Sequence, residues 1–589
     1  MEVGTVSAAD ASTGSQTIAD IVKLAAERSP ERPALKHKVG DEWRDISYAE
    51  LGETVKQIAL GLADLGIEKG DRVSILSHTR PEWTFANFGI LASGAASVSI
   101  YQTNSPQEVH YVADHSESTA IFAEDAEQLE KIRTIRDDLP HLEHVIAFES
   151  DGKDDHISLD DLRERGRQHS DDEYEQRVAD VTPDDICLYI YTSGTTGPPK
   201  GCILTHGNYR RVTDMTQEMG VLGSDELVYL FLPLAHAFAV LIQFGAIDLG
   251  STIAYWEKDP QKIVPNLMEV KPTYFPSVPR IFEKIYQLAT SNAPDKEQLK
   301  QAVQLGLKVR LAQQRGEEVP AELMEKFEQA DEALYQNVRN IFGGRIRQCV
   351  TGAAPIAPEI LEFFYACGVP VMEGYGMTET STVATGQTPD DFRFGSIGKP
   401  LPGVEIKIGD DGEILLRGDN IFQGYYKNEE ASDQALEGGW LHTGDLGRID
   451  EDGFVYISGR KKDIIITAGG KNITPANLEN GIKQNPNVSQ CVVVGDRRPY
   501  LVALVTLDPE VATEETPEIR ESIQQTIDEV NSKVGPVEQI KYFTVLPHDL
   551  SQETGELTPT MKVKRNVVHE KYADVIDSLY EQGQTKQAG

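Results

Sequence analysis

Tyr191-Thr-Ser-Gly-Thr-Thr-Gly-Pro-Pro-Lys-Gly201 follows the apolar run 187–191, and this strand-to-loop junction governs the reading of the whole chain. Gly194 and Gly197 permit backbone geometries that expose amide N–H groups, four hydroxyls add donors and Lys200 adds charge, a set suited to holding phosphate. The stretch departs from the P-loop pattern, because Lys200 lies between Pro199 and Gly201 and no Ser or Thr follows it. Upstream segments agree with a buried strand at this point. Asp71-Arg-Val-Ser-Ile-Leu-Ser reads as a strand, 83–91 as a helix and 96–100 as a second strand. Thr17 is expected to cap a helix carrying Ile18, Ile21, Val22 and Ala25 on one face, and Ser47 with Glu50 makes a capping-box pattern before Leu51, Val55, Ile58, Leu62 and Leu65. Such alternation predicts an α/β fold with substantial parallel sheet.

The 589 residues are 40% hydrophobic and 25% charged, which excludes a disordered, collagen-like or disulfide-scaffold protein. With 56 basic and 94 acidic side chains the net charge is −38, spread without an acidic tail or basic arm. Such a surface repels nucleic acid and anionic lipid unless a basic patch intervenes. It serves solubility, with a salt-rich cytoplasm as a further cause to consider. Cys187, Cys202, Cys349, Cys367 and Cys491 are scattered and read as reduced thiols, with no zinc-like spacing. Residues 1–16 read as a frayed tail. The 21 uncharged residues 227–247 imitate a membrane span, but Pro233, His236, Gln243 and Gly245 interrupt them; a buried strand followed by a buried helix fits better.

Further along, Leu299, Val303, Leu307 and Leu311, then Leu323, Phe327, Ala330, Leu334, Val338 and Ile341, keep a spacing of three to four, predicting two amphipathic helices broken near Pro320 and packed on the protein. Residues 403–458 carry Asp-Gly pairs between short apolar strands, a hairpin texture. Beyond Asp463 strands and helices alternate anew. The expected architecture is therefore a tail at 1–16 and a large N-terminal domain of α/β sheet layers at 17–461. That domain holds a helical insertion at about 290–342 and a β-rich subdomain at about 403–458. A hinge at Lys462 then leads to a small mobile α+β C-terminal domain at 463–589.

Several further clusters can do chemistry. Glu373-Gly-Tyr-Gly-Met-Thr-Glu379 follows a short apolar strand (369–372); Tyr375 can stack on a base and Glu379 can ligate a hard cation. Gly352-Ala-Ala-Pro355 is a small-residue turn. Asp445, in Thr443-Gly-Asp445, can grip paired hydroxyls. Gly459-Arg-Lys-Lys-Asp463 concentrates cations at the domain boundary, ahead of Gly469-Gly470. Thr558-Pro-Thr-Met-Lys-Val-Lys-Arg565 adds a basic loop before the final helix. Taken singly, each has a bland reading as a turn or a solvated charge.

Taken in order, the set resembles the adenylate-forming (AMP-binding) enzymes, most closely the long-chain fatty-acyl-CoA synthetases, from about Ile18 to Tyr580. The resemblance rests on 191–201, Leu232-Pro-Leu-Ala-His236, Gly374-Tyr-Gly-Met-Thr-Glu379, Thr443-Gly-Asp445, Gly459-Arg460, the 299–341 insertion and 558–565. It implies an AMP-forming ligase that joins a long-chain fatty acid to ATP as acyl-adenylate, then to coenzyme A. It places Thr192, Ser193, Gly194, Thr195, Thr196, Gly197 and Lys200 on the phosphates. Gly352, Ala353, Ala354, Glu373, Gly374, Tyr375, Gly376, Met377 and Thr378 surround the nucleotide, and Asp445 and Arg460 hold ribose. His236 lines the ATP or acyl site, with a core histidine as the alternative. Lys562 matches the catalytic lysine, Thr192 and Glu379 are catalytic and hold Mg2+, Lys462 is the hinge, and Gly469 and Gly470 line the coenzyme A path. Arg497, Arg498 and Lys564 are chosen for the coenzyme A phosphate on charge alone. The implied setting is cytoplasmic, with small-molecule substrates, no nucleic acid, at most peripheral membrane contact and a homodimer as a compatible assembly. One departure is Val240, where some relatives carry an aromatic gate, so chain-length preference stays open. So do transfer to a carrier protein, a shorter or aromatic acid, and a non-catalytic acyl-adenylate sensor.

Overall fold

The computed structural model describes residues 12–192, 198–290, 296–558 and 560–587. Ser193, Gly194, Thr195, Thr196 and Gly197 lie outside the described residues. The strand that leads to them, Ile186–Thr192, is buried along most of its length, pairs in parallel with Ala96–Ile100 and is answered antiparallel by Lys200–Thr205. It sits inside an eight-stranded sheet in which Arg72–Leu76, Ala96–Ile100 and Ala120–Ala123 run parallel. Helix Pro81–Ser93 crosses between the first two. Ala96–Ile100 is buried at every residue, the signature of a parallel strand covered on both faces.

The second, nine-stranded sheet has a parallel centre of Thr252–Tyr255, Leu227–Leu230, Tyr274–Ser277, Gln348–Thr351 and Val371–Tyr375. The chargeless stretch at 227–247 resolves into strand Leu227–Leu230 and the buried helix Ala237–Asp248. Among the described residues no helix is long and apolar enough to cross a membrane. The strand expected at 369–372 lies instead at Val371–Tyr375, because pairing sets Thr351 opposite Glu373 and draws the Gly-Tyr motif into the sheet. The insertion forms Lys296–Gln314 and Ala321–Ala330, with Phe327, Tyr335 and Val338 buried beside Phe282 and Phe364. Its helices pack on the protein, as their apolar stripes predict. Glu405–Ile408, Glu413–Arg417, Leu441–Ile449 and Val455–Arg460 form the four-stranded β-rich part, turning at Gly412 and Gly453 with positive φ.

Beyond residue 463, a three-stranded sheet of Val488–Val494, Leu501–Leu507 and Ile540–Val545 has its own apolar cores. Helices Pro475–Ile482 and Pro517–Ser532 cover one face, and Ala573–Gln587 meets the other. Contact with helix Pro279–Thr290 of the large part is ionic, Arg280 to Asp508 and Lys284 to Glu510 at 2.7 Å.

Two expectations near the N-terminus are corrected. The helix begins at Ile21, while Thr17 Oγ1 bonds Asp20 Oδ1 at 3.3 Å in the preceding turn. Nor is the chain frayed through Gln16. From Ser12 onward it docks on the fully buried Asp248: Ser12 Oγ donates to Oδ2 at 2.9 Å and Thr13 bonds Oδ1. A buried carboxylate needs donors, and Arg210 Nη2 at 3.0 Å and Gln217 Nε2 at 2.6 Å complete the set. Arg210 Nη1 in turn donates to Ser15 Oγ at 2.6 Å. Asp248→Ala leaves the buried Arg210 with Asp214 as its remaining carboxylate partner and deprives Gln217 and Ser12 of their acceptor; it is expected to cost about 1–3 kcal/mol, measured as a lower urea midpoint. A change under about 0.5 kcal/mol would mean that the cluster is surface-like.

Candidate active site

The two sheets, the β-rich part and the loop at 558–564 enclose a cavity of about 810 Å3. Both edges of the quoted loop reach it, through Thr192 and Lys200. Lys200 Nζ lies 4.8 Å over the ring of Tyr425, whose hydroxyl donates to Glu379 Oε1 at 2.7 Å. Tyr425 thus ties a strand of one sheet to the Glu379 turn of the other. Glu379 makes no ion pair among the described residues, and with the Thr192 hydroxyl it offers hard oxygen donors on the cavity wall.

Lys562 is delivered by a tight loop. Thr558 N donates to the Lys562 carbonyl at 2.8 Å, Lys562 N donates to Thr558 Oγ1 at 3.0 Å, and Met561 takes a φ of 61°. The Lys562 side chain lines the cavity while keeping contact with solvent. Desolvation, followed by the charge of Arg460, holds its ammonium below the ordinary lysine pKa, while Asp445 and Glu379 oppose the shift. Lys564, two residues on in the same extended segment, reaches the cavity as well.

His236 caps helix Ala237–Asp248, its Nδ1 accepting from Phe238 N at 3.2 Å. That bond fixes the neutral tautomer with its proton on Nε2. Burial and then Lys562 lower its pKa to about 4, so it is uncharged at neutral pH. Tyr375 OH donates to Asp445 Oδ2 at 2.7 Å and Arg460 Nε to Asp445 Oδ1 at 2.8 Å; Asp445 and Arg460 are register partners on adjacent strands. Both carboxylate oxygens of Asp445 are thereby engaged.

The cavity wall includes Gly352, Ala353, Glu373, Gly374, Tyr375, Gly376, Met377 and Thr378, together with Arg460 and Lys462. Ala353 holds a φ of 65°, a conformation costly for alanine, and a Cβ on Gly352 would come within 2.9 Å of the Gly374 carbonyl. Backbone is therefore packed tightly at this end of the cavity. Ala354 is exposed and off the wall, as are Gly469 and Gly470. Arg497 and Arg498 also lie away from it, but Arg497 N and Ala468 N bond the Ile466 and Arg498 carbonyls, which places both arginines beside the Gly469-Gly470 turn. Val240 is fully buried and not on the wall.

Sequence reasoning missed two stretches of wall. One is polar, around Ser99, Asn104 and Gln107; the other is apolar, around Leu222, Leu241, Ile242, Val383 and Leu401. Neither has a motif, since both depend on which strand ends the topology brings together. Tyr425 was missed too, although its neighbour Gly424 marks the edge strand.

Glu373 is buried, and its Oε2 has no hydrogen-bond partner among the described residues. Burial pushes its carboxyl up to about 8. Between pH 4.5 and 8 the folded chain keeps a proton there that the unfolded chain releases, so this group lowers stability as pH rises through that window. Glu373→Gln removes the titration. Its Tm relative to wild type is expected to climb from pH 5 to pH 8, and a constant difference would place this carboxyl in the ordinary range.

Comparison with known proteins agrees with this geometry. The family model described as AMP-binding enzyme matches residues 22–426, and the AMP-binding enzyme C-terminal domain matches 462–584. The chain is 38% identical to a long-chain-fatty-acid–CoA ligase, FadD15, of Mycobacterium tuberculosis, over 94% of this chain and 95% of that one. It is 34% identical to the long-chain-fatty-acid–CoA ligase ACSBG2 of Xenopus laevis, over 97% and 84%. Among solved structures, the anthranilate CoA ligase AuaEII in complex with anthranoyl-AMP superposes with a TM-score of 0.74 at 24% identity, covering 96% of this chain and 98% of that one. The A-PCP didomain of a carboxylic acid reductase from Segniliparus rugosus does so with 0.79 at 21%, covering 99% and 84%. These two likenesses concern the fold. Its sequence over most of its length places this chain in the AMP-binding enzyme family.

Proposed function

We propose that the chain is an AMP-forming ligase that activates a long-chain fatty acid with ATP and passes the acyl group to coenzyme A. The observation that carries the reading is Lys562 standing in one cavity with Lys200, Thr192 and Glu379, at the mouth of an apolar arm. The names of the relatives support the same substrate class.

In the first half-reaction a carboxylate oxygen attacks the α-phosphorus, a P–O bond forms, and the bond to the β-phosphate breaks as pyrophosphate leaves. One anion must approach another. Lys562 bridges the carboxylate and the α-phosphate, and Lys200 with the loop 193–197 holds the departing phosphates, so cations sit where charge accumulates. Tyr375 and the tight backbone at Gly352 and Gly374 flank the adenine, while Arg460 and Asp445 orient the ribose. The engaged state of Asp445 means that ribose hydroxyls exchange with the Tyr375 bond. Thr192 and Glu379 would hold Mg2+, which when bound neutralises phosphate charge. Neutral His236 borders the acyl end without adding a charge.

In the second half-reaction the coenzyme A thiolate attacks the acyl carbonyl, the C–S bond forms and AMP leaves with its oxygen. Gly469 and Gly470 are off the cavity wall in this arrangement, and in this reading the small domain rotates about Lys462. That motion withdraws Lys562 and brings the glycine turn to the acyl carbonyl, with Arg497 and Arg498 beside it for the coenzyme A phosphate. Rotation also parts the exposed Lys284–Glu510 pair, which exchanges readily for water, and the Arg280–Asp508 pair, whose buried Asp508 carboxylate must be rehydrated. The setting is cytoplasmic, with a homodimer compatible.

Three measurements test this reading. AMP formation with Mg·ATP is expected to require a long-chain acid and to rise with coenzyme A as thioester appears. AMP that ignores coenzyme A would move the reading to carrier-protein loading, and none with any acid would favour a sensor. Lys562→Ala is expected to lose adenylation, by roughly 100-fold or more, yet still convert supplied acyl-AMP to thioester; near-normal pyrophosphate release would remove Lys562 from the chemistry. Lys462→Pro should spare pyrophosphate release and cripple thioester formation, and equal loss of both would refute a hinge there.

A further inference from the structure

The helix Ala237–Asp248 is apolar apart from the buried Gln243 and Asp248 and carries one glycine, Gly245. Glycine weakens a helix relative to alanine, so its presence mid-helix needs a reason. Elsewhere in the chain the reason is close packing. A Cβ on Gly52 would lie 2.8 Å from the Ala26 side chain and one on Gly306 2.8 Å from Ala366, and those on Gly61 and Gly89 would collide more severely still. Gly245 differs. Its φ is not positive, and a Cβ there would meet only Leu222 Cδ2 at 3.5 Å and Thr213 Cγ2 at 4.0 Å, which are ordinary contacts. Neither backbone nor packing asks for glycine at this position.

What Gly245 does is line the cavity. On this helix Ala237, Phe238, Leu241, Ile242 and Gly245 share the cavity face, at the spacing of one helical stripe. The stripe starts beside His236, which faces Lys562, and runs about 12 Å along the axis to Gly245. There it stops. The next turn presents Asp248, locked to Arg210 and Gln217 and unavailable to an apolar chain. Gly386 repeats the pattern from the nine-stranded sheet: it lines the cavity, and a Cβ there would meet Met219 and Leu401 only at 3.8 and 3.9 Å.

We infer that Gly245, with Gly386, sets how long an acyl chain the cavity takes, by leaving empty the volume that a side chain would fill at the distal end of the apolar arm. The inference rests on the acyl-ligase reading above and adds the residue that measures the chain. A side chain grown from Gly245 builds against Leu222, another wall residue, and shortens the arm while the reacting end at Lys562 stays as it is.

The test is kcat/KM for AMP formation over a ladder from octanoate to stearate. Gly245→Leu is expected to lower the value for palmitate at least ~10-fold, leave octanoate near wild type and so move the optimum to shorter acids. Gly245→Ala should keep the wild-type ladder and raise Tm, because its Cβ fits. Should the leucine variant fail to fold, Gly245→Val is read for the same shift. An unchanged ladder, or equal loss at every length, would overturn the assignment of Gly245 while leaving the ligase intact. A wild-type protein that forms no AMP with any fatty acid would remove both.

Discussion

Electrostatic repulsion between two anions is the constraint around which this molecule is arranged. A carboxylate and a polyphosphate must meet inside a chain whose own charge is −38. The cavity reverses that background locally, with Lys200, Arg460, Lys462, Lys562 and Lys564 on its wall beside Glu108, Glu379 and a Glu373 whose buried carboxyl holds its proton, and with Asp445 close by. The depressed pKa of Lys562 comes first from desolvation and then from the same crowding, since Arg460 and Lys462 disfavour its charge while Asp445 and Glu379 restore it. Bringing in phosphate relieves that repulsion among cations. Substrate binding and the electrostatics of the site are thus two sides of one balance.

The supports for these charges come from different layers of the fold. Tyr425, on the edge strand of one sheet, holds Glu379 on the other; Tyr375, in the second sheet, holds Asp445 in the β-rich part, which holds Arg460. The two tyrosine bonds cross boundaries between substructures, while Asp445 and Arg460 pair within the β-rich part, so the site forms where the layers meet. Lys562 comes from the small domain. No single layer contains the reacting set.

Local signals carried much of this into the sequence. The capping box at Ser47 and Glu50, the strand at 96–100 and the Asp-Gly turns at 411 and 452 depend on neighbours in the chain, and each formed where read. The strand before Glu373 was read two residues early because its bounds are set by pairing with Gln348–Thr351, which sequence proximity does not reveal. Residues 12–16 looked like polar tail for the same reason: their partner Asp248 is more than 200 positions away. Motif residues of the site were legible because each carries a recognisable chemical type. The apolar arm was not, since Leu222, Leu241 and Leu401 resemble any core residue until the fold leaves a space between them.

In the proposed mechanism the joint between the domains has to let Lys562 move. An apolar contact would bind the small domain in one orientation, since buried area stabilises whatever arrangement hides it. Lys284 with Glu510 acts otherwise: an exposed pair of this kind contributes about 0–1 kcal/mol, because water and salt replace it at little cost. Arg280 reaches the buried Asp508 and selects the orientation. The apolar cores of the small domain at Ile482, Ile523 and Leu550 are closed within that domain, so it can turn as a body without exposing them. Apolar packing holds each part together and polar contacts join the parts, which is the division expected of an enzyme that presents one lysine to the first half-reaction and removes it for the second.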